Sequence, residues 1–130
     1  MDAPRWIGRA VVLALHDEQL AEHGGAPGLR DAGLLDSALD RPRNLLAYGA
    51  PDLAALAAAY GFGLIRNHPF VDGNKRVAFV VTETFLALAG QEIAADDAEC
   101  LSIWLTLAAG EVSEDELAAW LRPRLIPLQP

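Results

Sequence analysis

With one cysteine in 130 residues, Cys100, the chain has no internal disulfide framework and no thiolate pair for a structural zinc site. Set in an apolar run, Cys100 reads as a small buried hydrophobe, which suits a reducing cytoplasm. Cations are scarce as well: ten Lys and Arg stand against eighteen Asp and Glu, a net charge of −8. Binding to nucleic acid or an anionic membrane needs a basic surface that releases counterions, so the composition argues against both. No apolar run reaches the roughly 20 residues of a membrane span. Met1-Asp2-Ala3-Pro4-Arg5 also lacks the basic-then-apolar order of an export signal, which predicts a cytoplasmic protein.

Several sites are missing by motif. There is neither a Walker A loop nor a His-Glu-x-x-His pair. Gly61-Phe62-Gly63 opens a GxG pattern, but Arg66 stands where a third glycine is needed and the run falls inside a helix, so close helix packing explains these glycines better. His16 and His23 lie seven apart without a third ligand, a poor metal site. Repeats, low-complexity tracts and long linkers are absent. The reading is one domain over residues 1–130, with its core in about 5–122 and an extended Pro-rich tail over 123–130. At 52% hydrophobic residues the chain can bury roughly two-thirds of the surface its unfolded form exposes.

The pattern that is present is helical. Ile7, Ala10, Val11 and Ala14 recur at helical spacing in a first helix that ends at Gly24-Gly25. Asp31 caps a second helix carrying Leu34, Leu35, Ala38 and Leu39, which stops before Pro42 and leaves 42–51 as a loop. Asp52 caps a third, with Leu53, Leu56, Ala57, Tyr60 and Leu64 on one face, running directly into His68. From Arg76 to Ala89 the β-branched Val77, Val80, Val81 and Thr82 would suit a strand. An unbroken run of about 14 residues, with Val77, Val81, Phe85 and Leu88 in one row, favours a buried helix, placed here at the centre. Asp96 or Asp97 caps a fifth helix to Ala109, and Ser113 with Glu116 forms a capping box for a sixth that stops before Pro123. The fold class is all-α, a compact bundle of about six helices.

Between the third and fourth helices lies His68-Pro69-Phe70-Val71-Asp72-Gly73-Asn74-Lys75-Arg76. Gly73 and Asn74 are the residue types that most readily take positive φ, so the backbone can form an anion-binding nest at a helix N-terminus. Lys75 and Arg76 oppose the helix dipole there by ~0.3–1 kcal/mol, a placement that an anionic ligand between them would reverse. Asp72 is the hard oxygen ligand that magnesium takes alongside substrate phosphates. His68 can accept a proton from a hydroxyl near neutral pH. Each dipeptide is common in ordinary turns; the combination is specific.

This stretch resembles the signature loop of the Fic superfamily, and Lys75, where Fic nucleotidyltransferases usually carry Gly, resembles the Doc (death-on-curing) branch. Leu15-His16-Asp17 and Gly28-Leu29-Arg30-Asp31-Ala32-Gly33-Leu34-Leu35-Asp36-Ser37-Ala38-Leu39 are similar to the family's upstream segments, so the likeness covers roughly residues 10 to 122. It implies His68 as general base, Asp72 as magnesium ligand, and Asn74, Lys75 and Arg76 as the phosphate clamp, with Gly73 admitting the backbone amides. Phe70 is expected to anchor the loop in the core. The resemblance further implies a toxin of a toxin-antitoxin module: a protein serine/threonine kinase that moves the ATP γ-phosphate, with Mg2+, onto a hydroxyl of elongation factor Tu and halts translation. A Phd-like antitoxin would restrain it, since no Ser/Thr-x-x-x-Glu-Gly/Asn inhibitory motif is present. Pro69 and Gly73 match the general Fic loop, which keeps AMP transfer as the alternative; a non-catalytic binding protein is the third reading.

Overall fold

The computed structural model describes residues 3–129; Met1 and Asp2 of the segment read for export, and Pro130 at the end of the expected tail, lie outside them. Six helices follow in order: α1 (Arg9–His23), α2 (Ala32–Tyr48), α3 (Leu53–Asn67), α4 (Asn74–Leu88), α5 (Asp97–Ala108) and α6 (Glu114–Leu121). The architecture is all-α, as the periodicity implies, with one small addition. Gly90, at φ 79°, turns the chain out of α4 into β1 (Gln91–Ile93), which pairs antiparallel with β2 (Leu125–Pro127) in the register Gln91 to Pro127. The tail is therefore extended because it is a strand, reached through a tight 3-10 turn over Arg122–Arg124. Among the described residues no helix is long and apolar enough to cross a membrane.

The helix starts are set by side chains that satisfy otherwise orphaned amides, each worth ~1 kcal/mol. Asp31 accepts from Leu34 N, and Asp52 from Ala55 N. Asp96 with Glu99 and Ser113 with Glu116 form complete capping boxes.

Three expectations are corrected by the packing. The core-facing row of α1 is Val12 and His16, while Ala10, Val11 and Ala14 face solvent; Ile7 is buried ahead of the helix, its N–H donating to the Tyr60 hydroxyl at 2.9 Å. A polar residue occupies a core position, so hydropathy alone phased the helix one residue off. Second, α2 does not stop at Pro42 but runs through it to Tyr48. A proline inside a helix removes the bond to the carbonyl four residues back and costs ~3 kcal/mol. Pro42 is buried, and Leu45 and Leu46 beyond it pack on the core, so the apolar surface of the second half offsets the lost bond.

Third, α4 is not the sole centre. α3 packs against α2, α4, α5 and α6, and it is buried along nearly its whole length. Its small residues allow this approach: a Cβ on Gly61 would lie 2.5 Å from Trp104 Cη2, and one on Gly63 would lie 3.4 Å from the Ala38 backbone. On α4, Val77, Val81 and Phe85 form the expected buried row, and Leu88 at the end is exposed. With α3 and α4 side by side, the loop that joins them is held at one end of the core.

Candidate functional site

The loop begins where α3 ends. His68 caps α3 in the left-handed region, φ 50° and ψ 55°, the one described non-glycine residue with positive φ. That conformation costs ~1–2 kcal/mol for an ordinary side chain, so something must hold it. Arg30 does, donating from Nε to His68 O at 2.7 Å and from Nη2 to Asn67 O at 2.9 Å. A cation at these last carbonyls also complements the negative end of the helix dipole.

The next residues turn inward. Pro69 and Phe70 are buried, Phe70 stacking on His16 with ring centroids 3.8 Å apart. The expectation that Phe70 anchors the loop holds. The connection between α1 and α2 lies against it like a short strand: Pro69 O accepts from Arg30 N at 2.7 Å and Asp31 N at 3.0 Å, and Val71 N donates to Gly28 O at 3.0 Å. Asn74 completes the fastening. Its Oδ1 accepts from Phe70 N at 3.0 Å and its Nδ2 donates to Phe70 O at 2.9 Å.

The helix starts two residues earlier than the sequence suggests, at Asn74, with Gly73 as N-cap at φ 78°. The positive-φ pair in the loop is thus His68 and Gly73, because Asn74 is already helical. The first amide that α4 satisfies itself is that of Val77, which donates to Gly73 O at 3.0 Å; the preceding turn presents its N–H groups outward, as helix starts do.

The side chains of His68, Asp72, Lys75 and Arg76 are exposed and line one cleft of about 800 Å³, closed on its far wall by Phe79 of α4 and Trp104, Leu101 and Leu105 of α5. Among the described residues neither Lys75 nor Arg76 has a carboxylate within 4.0 Å. Asp72 is oriented by backbone donors, Ala26 N to Oδ2 at 3.2 Å and Gly73 N to Oδ1 at 2.8 Å. Those two hydrogen bonds, against a smaller effect of burial and helped by the nearby charge of Arg76, hold its carboxyl below the usual range. Each oxygen keeps a lone pair beyond the N–H it accepts, so the carboxylate fits a hard cation. Among the described residues no three His, Cys, Asp or Glu side chains converge into an all-protein metal cage. A magnesium ion bound here would take most of its remaining ligands from water and phosphate.

Asn74 departs from its expected part. Its side chain is 4% exposed and spent on the Phe70 backbone, so any contribution to a phosphate clamp comes from its amide. Reasoning from the loop alone also missed Arg30, the Ala26 amide and His16. The segments around them stood out by resemblance, but a residue that holds a backbone carbonyl has no signature of its own. A second, shallower depression of about 480 Å³, between Arg41 and Tyr48 of α2 and Glu114 of α6, contains none of the motif residues.

A helical bundle that presents an imidazole, a carboxylate and two cations around a helix N-terminus has the donor groups and charge that suit a phosphate. Comparison with known proteins gives this class its family. The model of the Fic/DOC family matches residues 6–86. The chain is 33% identical over 119 residues to "Protein kinase doc" of Escherichia phage P1, spanning 91% of this chain and 94% of that protein. It is 47% identical over 76 residues to "Toxin Doc" of Mycolicibacterium smegmatis, 56% of this chain and 58% of that protein. This chain belongs to the Fic/Doc family.

Proposed function

We propose that this protein is a Doc-type toxin: a kinase that transfers the γ-phosphate of ATP to a hydroxyl of a translation factor, elongation factor Tu by family likeness, and so halts translation. The observation that carries the proposal is the pairing of a free cationic helix start with an oriented carboxylate and an imidazole in one cleft. Similarity over nearly the whole length of a protein kinase doc supports the same class.

In this reading His68 takes the proton of the target hydroxyl as its oxygen bonds to the γ-phosphorus, and ADP leaves with the electrons of the broken P–O bond. The α4 amides, Lys75 and Arg76 hold the phosphate oxygens and neutralise charge at that moment. Asp72 would hold the magnesium ion, which when bound would supply positive charge to offset that of the phosphate oxygens. Little covalent work is asked of the protein, so positioning and charge stabilisation carry the rate. A serine or threonine hydroxyl is the acceptor this base suits.

Restraint by a Phd-like antitoxin follows from the same likeness. Its flexible segment would fold as an amphipathic helix in a groove beside the cleft. The acidic composition and single buried Cys100 support a cytoplasmic site of action. One experiment separates the readings: purified protein is incubated with elongation factor Tu, magnesium and ATP labelled at the α- or γ-phosphate. Label transferred from γ alone supports the kinase; label from α makes the protein an AMP transferase. A His68→Ala variant that folds and still arrests growth would leave a binding protein. The kinase reading expects that variant to lose on the order of 10²–10⁴ in rate, and Asp72→Ala to lose magnesium-dependent transfer.

A further inference from the structure

We propose that His16, outside the motif and on a different helix, is a positioning residue that holds the Asp72–Gly73 peptide in its working orientation. The inference rests on the reading of Asp72 as the metal-binding carboxylate of the cleft.

His16 is 3% exposed, in the core-facing row of α1. A polar side chain there is costly unless paired, and an apolar residue would serve packing better. The pairing is specific: Nε2 lies 2.8 Å from Asp72 O. A carbonyl oxygen only accepts, so Nε2 carries the proton and donates. Among the described residues no backbone amide donates to Asp72 O, which leaves the imidazole as its partner. The ring stacks on Phe70, 3.8 Å between centroids and 12° between planes, which fixes the direction of Nε2.

The bond matters because of the residue that follows. Gly73 is the joint at which a peptide can rotate most cheaply, since glycine takes either sign of φ. The Asp72–Gly73 peptide is held at both ends, its C=O by His16 and its N–H by Asp72 Oδ1 at 2.8 Å. Without the first bond the peptide can rotate, and rotation also breaks the second, releasing the carboxylate that Gly73 and Ala26 orient. The loop sits tightly enough for this control: a Cβ on Gly73 would be 3.5 Å from His16 Nε2.

Three variants of the full chain test it. Glutamine places its Nε2 the same number of bonds from Cβ as the imidazole Nε2, so His16→Gln retains the donor. His16→Asn carries the same amide one bond short, and His16→Phe keeps the ring without the donor. The first readout is hydrogen exchange of the Gly73 amide followed by NMR. His16→Asn and His16→Phe are expected to accelerate it about tenfold, the effect of one lost hydrogen bond at a partly buried carbonyl, and His16→Gln to restore it. The second is calorimetric binding of ATP with and without magnesium, where the same ranking is expected in the magnesium-dependent part. Unchanged exchange in folded His16→Asn and His16→Phe, or a Gln variant as defective as the Asn variant, overturns the proposal. If His16→Phe does not fold, the Gln and Asn pair decides alone. Wild-type protein that binds no magnesium–ATP would sink the functional reading instead, and Gly73 exchange would still decide the role of His16.

Discussion

Asn74→Ala is the perturbation whose cost follows most directly from the structure. The side chain satisfies two backbone groups of Phe70, the N–H at 3.0 Å and the C=O at 2.9 Å, and Phe70 is only 1% exposed. Truncation leaves both groups buried without partners, at ~1–3 kcal/mol each, so a loss of ~2–6 kcal/mol is expected. That is a large share of the ~5–15 kcal/mol that holds a domain of this kind together. For a chain of this length it corresponds to a Tm lower by roughly 6–30 °C. Urea unfolding followed by circular dichroism reads the change directly, with the midpoint shifted and the slope unchanged. The loop is also expected to lose its shape before the bundle unfolds, visible as faster exchange of the Phe70 amide than of amides in α3. A loss under about 1 kcal/mol would refute the reasoning, because it would mean that the Asn74 side chain does not carry the Phe70 backbone.

Three further outcomes follow from the packing and the charges. Gly61→Ala puts a Cβ 2.5 Å from Trp104 Cη2 and 3.0 Å from Thr82 Oγ1; overpacking of ~1–3 kcal/mol outweighs the gain in helix propensity, and denaturation monitored by tryptophan fluorescence should show net destabilisation. Asp52 both caps α3 and meets Arg122 in an exposed pair, at 2.5 Å to Nε and 3.1 Å to Nη2. Asp52→Ala should therefore cost ~1–2 kcal/mol through the lost cap, and Arg122→Ala, which leaves the cap intact, clearly less. The Asp52 carboxyl is lowered first by the Arg122 hydrogen bond, against an opposing effect of burial, with the Ala55 amide adding a further lowering. Its contribution is present above the unfolded value, about 3.9, and is lost as pH falls through the folded one, so Asp52→Asn should flatten the acid limb of the stability curve below about pH 4. Gly25→Ala, at φ 123° and with its Cβ 2.9 Å from Asp72 Oδ2, should displace that carboxylate and weaken magnesium-dependent ATP binding while leaving binding without magnesium unchanged; unchanged magnesium dependence would argue against the placement of Asp72.

Much of the fold was legible because it is written locally. Asp31, Asp52, Asp96 and Ser113 cap their helices through contacts three residues away, and Gly24 and Gly90 take the positive φ that ends a helix or turns a strand. What failed was decided at long range. Pro42 reads as a stop because its missing N–H is a local fact, whereas the burial of Leu45 and Leu46 that carries α2 onward depends on helices elsewhere in the chain. The strand Leu125–Pro127 exists only because Gln91–Ile93 is there to pair with it, some 30 residues earlier in the chain.

The loop divides in the same way, and the division explains which of its residues sequence could assign. His68, Asp72, Lys75 and Arg76 have chemistry that a turn does not need, so their types alone suggest that they face a ligand, and all four line the cleft. Asn74 has the donors and acceptors to do either job, and only its distances to Phe70 show that it serves the backbone. His16 is the extreme case. An imidazole on an amphipathic helix carries no hint of a partner 56 residues away, yet it bonds Asp72 O, in the peptide that joins the carboxylate residue to Gly73. The residues that line the cleft can thus be read from chemical type, while the residues that shape the loop can be read only from the carbonyls and amides that a left-handed His68 and a glycine joint leave to be held.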